Sequence, residues 1–242
     1  MTEDTFARTK MLIGEDGVQK LASAKVLVCG LGGVGGYVLE ALARAGVGCI
    51  GVMDNDVFSV SNLNRQILAT RDTIGKKKTE VAKQRVFDIR PDCDVRVYDT
   101  FYLPQNSADV DIESYDYIAD AIDTVSAKID IICRAKAAGI GIVSCMGTGN
   151  KLQTRFEVAD IYDTSVCPLA KVMRKELKAR GIKNLKVVYS KEPPVEVACR
   201  SGESACRSDT ENIKRVPASI SYAPAIAGLM MAGEIINDLL NK

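Results

Sequence analysis

An apolar strand that runs straight into a glycine turn and then a helix constrains this chain more than any other feature. Lys25 to Cys29 is apolar and rich in β-branched residues, and Gly30-Leu31-Gly32-Gly33-Val34-Gly35 follows it. Tyr37 to Ala45 then places Val38, Leu42 and Ala45 on one helical face, and Cys49 to Met53 forms a second strand ending at Asp54. The order predicts a βαβ unit with a glycine-rich first turn. Glycine lets the backbone turn tightly and approach an anion, and the helix behind it presents free N–H groups. Gly30, Gly32, Gly33 and Gly35 are therefore candidate phosphate-binding positions. Asp54, at the end of the second strand, stands where a carboxylate receives ribose hydroxyls.

The alternation continues. Lys77 to Ile89 reads as a helix closed by Pro91, Val95 to Tyr98 as a strand, and Tyr117 to Ala121 as another. Ser126 to Ala138 is a helix capped by Gly139, and Gly141 to Cys145 is a strand. Strands alternating with helices predict an α/β fold with a doubly wound, Rossmann-like, mostly parallel sheet. Two short helices are expected over Asp4 to Ala22. The second half is less regular and reads as mixed or antiparallel. Strands are expected at Arg155 to Val158 and Lys186 to Ser190, and a helix from Cys167-Pro168 to about Arg180. A mobile loop is expected over about 191–215, and a closing helix at Ala225 to Leu240 reads as a core helix rather than a partner-facing one. With no repeat or linker, the expected organisation is a single domain over 1–242. Residues 1–24 are its N-terminal helices, 25–146 its nucleotide-binding core and 147–242 its substrate-facing half. Nearly half of the 242 residues (47%) are apolar, enough for one large core.

A glycine turn alone does not separate a nicotinamide cofactor from ATP. The next stretch does: Asp54-Asn55-Asp56-Val57, then Ser61-Asn62-Leu63-Asn64-Arg65-Gln66, then Gly75-Lys76-Lys77-Lys78. A dehydrogenase has no need of an Arg-Gln cluster there, whereas a triphosphate needs Arg and Lys on its oxygens. Asp120 and Asp123, at a strand's carboxyl end, offer hard oxygen ligands suited to Mg²⁺. Taken singly, each has an ordinary reading: Arg65 in a surface ion pair, Lys76 to Lys78 as a solvated helix start, Asp123 as a cap. In this order they favour ATP.

The chain has no histidine, which excludes Ser-His-Asp and Cys-His machinery and any His-ligated metal. Acid–base work falls to Asp, Glu, Lys, Tyr or Cys. Eight cysteines occur but no Cys-x-x-Cys pair, so no zinc site is expected. Cys29, Cys49, Cys133 and Cys145 sit in apolar runs and read as packing residues. The N-terminal stretch is mixed and charged, and the most apolar run, from Ala223, stops at Glu234. A cytoplasmic protein with no membrane partner is expected.

The run Gly-Leu-Gly-Gly-Val-Gly, Met-Asp-Asn-Asp-Val, Asn-Leu-Asn-Arg-Gln, Gly-Lys-Lys-Lys and Asp-Ala-Ile-Asp resembles the adenylation fold of ubiquitin-activating enzymes and their bacterial sulfur-carrier relatives. The resemblance covers about residues 5–146. It implies ATP and Mg²⁺ as cofactors, with Asp54 on the ribose and Asn62, Arg65 and Lys78 on the phosphates. It also implies Asp123 as the Mg²⁺-associated aspartate, with Asp56, Ser61, Gln66 and Thr124 around the nucleotide. Arg8, within Arg8-Thr9-Lys10-Met11-Leu12-Ile13-Gly14, matches an arginine that reaches into the partner subunit's ATP site, which implies a homodimer.

The second half lacks the zinc-binding Cys pairs of the sulfur-carrier enzymes. Cys167-Pro168-Leu169-Ala170-Lys171 and Val187-Val188-Tyr189-Ser190-Lys191-Glu192-Pro193 are instead similar to the branch that dehydrates the threonylcarbamoyl group on tRNA adenosine beside the anticodon. That resemblance implies carboxylate adenylation followed by cyclisation on a tRNA substrate. Adenylation of a carrier protein's C-terminus, with Cys167 or Cys199 as thiol acceptor, is the alternative, and a sulfur-relay protein is a further candidate partner. The net charge of +1 gives no global attraction to RNA, so binding needs a local patch. Lys171, Arg174, Lys175 and Lys178 fall at i, i+3, i+4 and i+7, putting four cations on one helix face, much of it opposite an apolar side of Leu169, Val172, Met173 and Leu177. That face is either an RNA-binding surface or a solvated side.

Overall fold

A computed structural model describes residues 4–196 and 217–241. Helix α1 (Ala7–Ser23) is broken at Gly14, whose φ of 73° lies in the left-handed region, so the expected pair of short helices is present. Strand β1 (Lys25–Cys29), helix α2 (Gly35–Ala45), strand β2 (Cys49–Met53), helix α3 (Lys78–Ile89) and strand β3 (Asp94–Tyr98) follow. Strand β4 (Tyr117–Asp120), helix α4 (Val125–Ala137) and strand β5 (Gly141–Cys145) complete the regular half. Strand β6 (Glu157–Asp160), helix α5 (Pro168–Ala179), strand β7 (Lys186–Tyr189) and helix α6 (Ala223–Leu240) form the second half.

All seven strands share one sheet in the order β3-β2-β1-β4-β5-β7-β6. Every neighbouring pair is parallel except β6 with β7. The doubly wound α/β expectation and its antiparallel second half both hold. Alternation along β1 shows why two cores form: Val26 and Val28 join one, Leu27 and Cys29 the other. Residues of α2, α3 and α6 cover the first face, and residues of α4 and α5 the second. Because β2 lies on one side of β1 and β4 on the other, the chain reverses its winding at β1, where an open α/β sheet leaves a crevice.

Some boundaries move for physical reasons. Helix α2 starts at Gly35 rather than Tyr37, because Gly35 is packed against the turn before it: a Cβ there would lie 1.8 Å from the Gly30 carbonyl oxygen. Strand β6 runs from Glu157 rather than Arg155, in a register that sets Glu157 opposite Tyr189 and Asp160 opposite Lys186. Of the loop expected over 191–215, residues 197–216 lie outside the described residues, together with Cys199 and Cys206. Helix α6 packs on α2 through Gly228, where a Cβ would meet the Val34 carbonyl oxygen at 2.4 Å. By length and composition α6 is apolar enough to cross a membrane, with a mean hydropathy of 1.3, and half of it is buried in this fold.

Two glycines three positions apart, Gly32 and Gly35, separate folding from binding. A Cβ on Gly32 meets nothing within 4 Å, whereas one on Gly35 strikes backbone. Gly35→Ala should lower the unfolding free energy by about 3 kcal/mol, the upper range for overpacking. Gly32→Ala should leave urea unfolding within about 1 kcal/mol of the parent. Equal midpoints for the two variants would contradict this account.

Candidate active site

The carboxyl ends of β1 to β5 border a cleft of about 740 Å³. Gly30, Gly32 and Gly33 line it from the turn after β1, and Asp54, Asn55 and Asp56 from the end of β2. Asn62, Arg65, Gln66 and Lys78 enter from the following segment, and Asp123 and Thr124 from the turn after β4. The fold thus gathers residues spread over almost a hundred positions of sequence. Gly35 does not face the cleft; it lets α2 press on Gly30. Ser61 stays outside as well, but its carbonyl accepts a hydrogen bond from Arg65 Nη1 at 3.0 Å.

Asp54 ties the cleft together. Its carboxylate accepts the Leu31 N–H at 2.7 Å, within the glycine turn, and the Asp56 N–H at 2.9 Å. Lys78, only 5% exposed, donates to Asp56 Oδ2 at 2.8 Å and lies 3.6 Å from Asp54 Oδ2. Arg65 is steered by a second acceptor, Asn64 Oδ1 at 2.9 Å, and Asn62 Oδ1 accepts the Ser59 N–H at 3.0 Å. Both cations are therefore aimed before any anion arrives, an arrangement that stabilises developing negative charge without reorganisation. Gln66 is 6% exposed, and its Oε1 has no hydrogen-bond partner among the described residues. A buried amide left unpaired is costly unless a bound polar group completes it.

Asp123 is exposed at the cleft and makes no ion pair among the described residues; Thr124 Oγ1 approaches it at 3.5 Å. The pairing of Asp120 with Asp123 as cation ligands is corrected by the structure. Asp120 is fully buried, 2.9 Å from Lys128 Nζ, and accepts the Ser144 hydroxyl. Strand alternation turns its side chain into the core, away from the cleft. Among the described residues no group of three or more His, Cys, Asp or Glu side chains is arranged to hold a metal.

Arg8 lies on exposed α1 and does not line the cleft of its own chain. The four-cation helix face is also reduced. Lys171, Lys175 and Lys178 are exposed, but Arg174 folds back to donate to the Thr164 carbonyl at 2.8 Å and to its hydroxyl. Arg180 pairs with Glu176 at 2.7 Å.

Sequence reasoning passed over two stretches of the cleft wall: Thr100 to Tyr102 after β3, and Met146 to Gly149 after β5. The second carried a signal, a Gly-Thr-Gly directly after a strand. Beside it, Asn150 adopts a left-handed φ of 56° and gathers three bonds. Its N–H and Oδ1 exchange hydrogen bonds with Ala218 at 2.8 Å each, and its carbonyl accepts the Val195 N–H at 2.9 Å. Glu192, also buried, accepts the N–H groups of Leu152 and Gln153 at 2.9 Å.

The thiol at the cleft is disfavoured as a thiolate. Burial pushes Cys145 up to about 12, and Cys29, buried at the end of β1, is raised as well, first by burial and then by the Asp120 charge. Cys167 is 2% exposed.

The ThiF family pattern matches residues 6–242. The tRNA threonylcarbamoyladenosine dehydratase of Bacillus subtilis is 37% identical over 239 residues, covering 97% of this chain and 94% of that protein. The solved structure of the Escherichia coli tRNA N6-threonylcarbamoyladenosine dehydratase, TcdA, in complex with ATP superposes with a TM-score of 0.85 at 32% identity, covering 98% of this chain and 94% of that one. An adenylyltransferase and sulfurtransferase of Vanderwaltozyma polyspora is 38% identical over 140 residues, 58% of this chain.

Alkylation tests the thiol assignment. With Cys145 raised to about 12, on the order of 1 in 10⁴ molecules carries its thiolate at pH 8. Native protein treated with iodoacetamide at that pH should yield unmodified Cys145 in peptide mass mapping, whereas denatured protein should be fully modified. Rapid native labelling would reopen a covalent mechanism.

Proposed function

The chain belongs to the ThiF family, and on that premise we propose that it is an ATP-dependent tRNA threonylcarbamoyladenosine dehydratase. The observation that carries this reading is a similarity that runs through both halves of the chain to a dehydratase, where that to the sulfurtransferase covers little more than half. A phosphate cleft in which Arg65, Lys78 and Asp123 converge supports it. We take the chain as one adenylation domain whose second half meets the substrate.

A carboxylate oxygen of the threonylcarbamoyl group attacks the α-phosphorus of ATP, and pyrophosphate leaves. Gly30, Gly32 and Gly33 cradle phosphate, Asp54 takes the ribose, and Arg65 and Lys78 offset the charge that builds on the phosphoryl oxygens. Asn62, Asp56, Thr124 and the unpaired amide of Gln66 complete the polar lining. The neighbouring ureido group then attacks the acyl carbon, AMP departs, and the ring closes with net loss of water. Proximity within one nucleoside supplies much of the rate, so no enzyme nucleophile is required. That suits a chain without histidine whose cleft thiol is protonated.

Mg²⁺ fits Asp123. This ion is bound through one or two carboxylates together with substrate phosphates, and Asp123 offers one exposed carboxylate to the cleft from the turn after β4. When bound it supplies positive charge beside the phosphates.

We read the enzyme as a cytoplasmic homodimer in which Arg8 serves the partner's cleft. Met11 and Leu12, on the same stretch of α1, are 87% and 86% exposed, an apolar pair suited to a second copy. Lys171, Lys175 and Lys178 are the cations left for RNA phosphates on α5. A sulfur-relay protein remains a candidate partner.

Incubation with ATP, Mg²⁺ and threonylcarbamoyl-modified tRNA should yield a nucleoside lighter by one water in mass spectrometry. Asp123→Ala and Arg65→Ala should each slow AMP formation on the order of 10²-fold. Unchanged nucleoside, with AMP released only when a carrier protein is added, would favour the sulfur-carrier class. The dimer has its own test. Mixing Arg8→Ala with Asp123→Ala subunits should restore activity that neither has alone, because one cleft of the hybrid is intact. No recovery after verified subunit exchange would place Arg8 outside the chemistry.

A further inference from the structure

Beneath the cleft lies a charged pair that the chemistry above leaves unused. Asp120 and Lys128 are both 0% exposed and 2.9 Å apart. An apolar pair of similar volume holds a fold as well or better, because burying two charges is costly. Stability alone therefore does not account for this one.

Its remaining bonds converge on one residue. Lys128 Nζ donates to the Ile122 carbonyl at 3.0 Å, and Asp120 Oδ1 accepts the Ile122 N–H at 3.3 Å. Both backbone polar groups of Ile122 are thus held from below by the same ion pair, and the next residue is Asp123. Lys128 also closes the first turn of α4, its N–H donating to the Thr124 carbonyl at 3.0 Å. From above, the turn rests on Gly30: a Cβ there would stand 2.9 Å from the Ala121 carbonyl oxygen and 3.3 Å from the Ile122 nitrogen. Asp123 therefore sits on a short turn clamped between the phosphate loop and a buried cation, while its own carboxylate has no ion pair among the described residues.

We propose that Lys128 is a positioning residue: bridged to Asp120, it fixes the Ile122 backbone and so aims the Asp123 carboxylate into the cleft. The inference rests on the function proposed above. A full charge is suited to this task because it holds two acceptors at once, the carboxylate at the end of β4 and the Ile122 carbonyl two residues on, in a site closed to water.

A double-mutant cycle tests it. Lys128→Met should lower kcat for AMP formation on the order of 10²-fold, as for a displaced catalytic group. In the Asp123→Ala background the same substitution should add less than about twofold, because it acts through the group already removed. Effects that multiply would overturn the proposal. Hydrogen exchange of the free protein gives a readout independent of turnover. Lys128→Met should speed exchange at the Ile122 amide by at least about tenfold; unchanged exchange would also overturn it. If Lys128→Met alone fails to fold, Asp120→Leu/Lys128→Met, which leaves no lone buried charge, carries the same cycle and exchange measurement. Should the wild type form no AMP from modified tRNA, the proposed function fails, while the exchange measurement still decides the role of Lys128.

Discussion

The site depends on how closely two peptide segments approach at the end of β1. The start of α2 lies so near the Gly30 carbonyl that no side chain fits at Gly35. That contact holds the helix N-terminus at the strand end, directly behind Gly32, Gly33 and Val34 of the cleft wall. Asp54 then clamps β2 to the same turn by accepting the Leu31 N–H. On the other side, Gly30 leaves room for the turn that carries Asp123. Three strand ends are brought together through missing Cβ atoms and one carboxylate. The cleft is a product of backbone proximity first and of side-chain chemistry second.

The regular half was legible because its signals are local. Strands β1, β2 and β5 have the bounds that their apolar runs predict, and the glycine turn announces itself. The ordered series Asn62, Arg65, Lys78 and Asp123 also converged, since each lies on or just after an element whose end faces the crevice. What sequence could not supply was side-chain destination. Asp120 and Asp123 look alike at a strand's end, yet alternation buries the first against Lys128 and exposes the second. Arg174 has the helical spacing of its basic neighbours, but Thr164, brought near by the fold, takes its guanidinium. The walls formed by Thr100 to Tyr102 and Met146 to Gly149 were missed because only the fold brings them to the cleft, and position in the fold leaves little trace in residue type.

A chain without histidine narrows the chemistry available to it, and the structure shows how charge takes over. Its cleft cations are held in advance, Lys78 by Asp56 and Arg65 by the Ser61 carbonyl and Asn64. In the proposed reaction such preorganisation takes the place of proton shuttling, and it suits a barrier set by charge at phosphorus rather than by a proton in flight.

Asn150 has a consequence of another kind. The chain leaves it at Val195 and returns at Ala218, and both stems are bonded to this one residue. The separation of the stems is therefore set locally, not by the stretch between them. Lengthening a loop raises its closure entropy only with the logarithm of its length. Descendants of this chain are free to gain, lose or exchange sequence between those stems while Gly149 and Pro217 keep their places at the cleft. A single asparagine in a left-handed conformation thus fixes where both stems stand, whatever length of chain joins them.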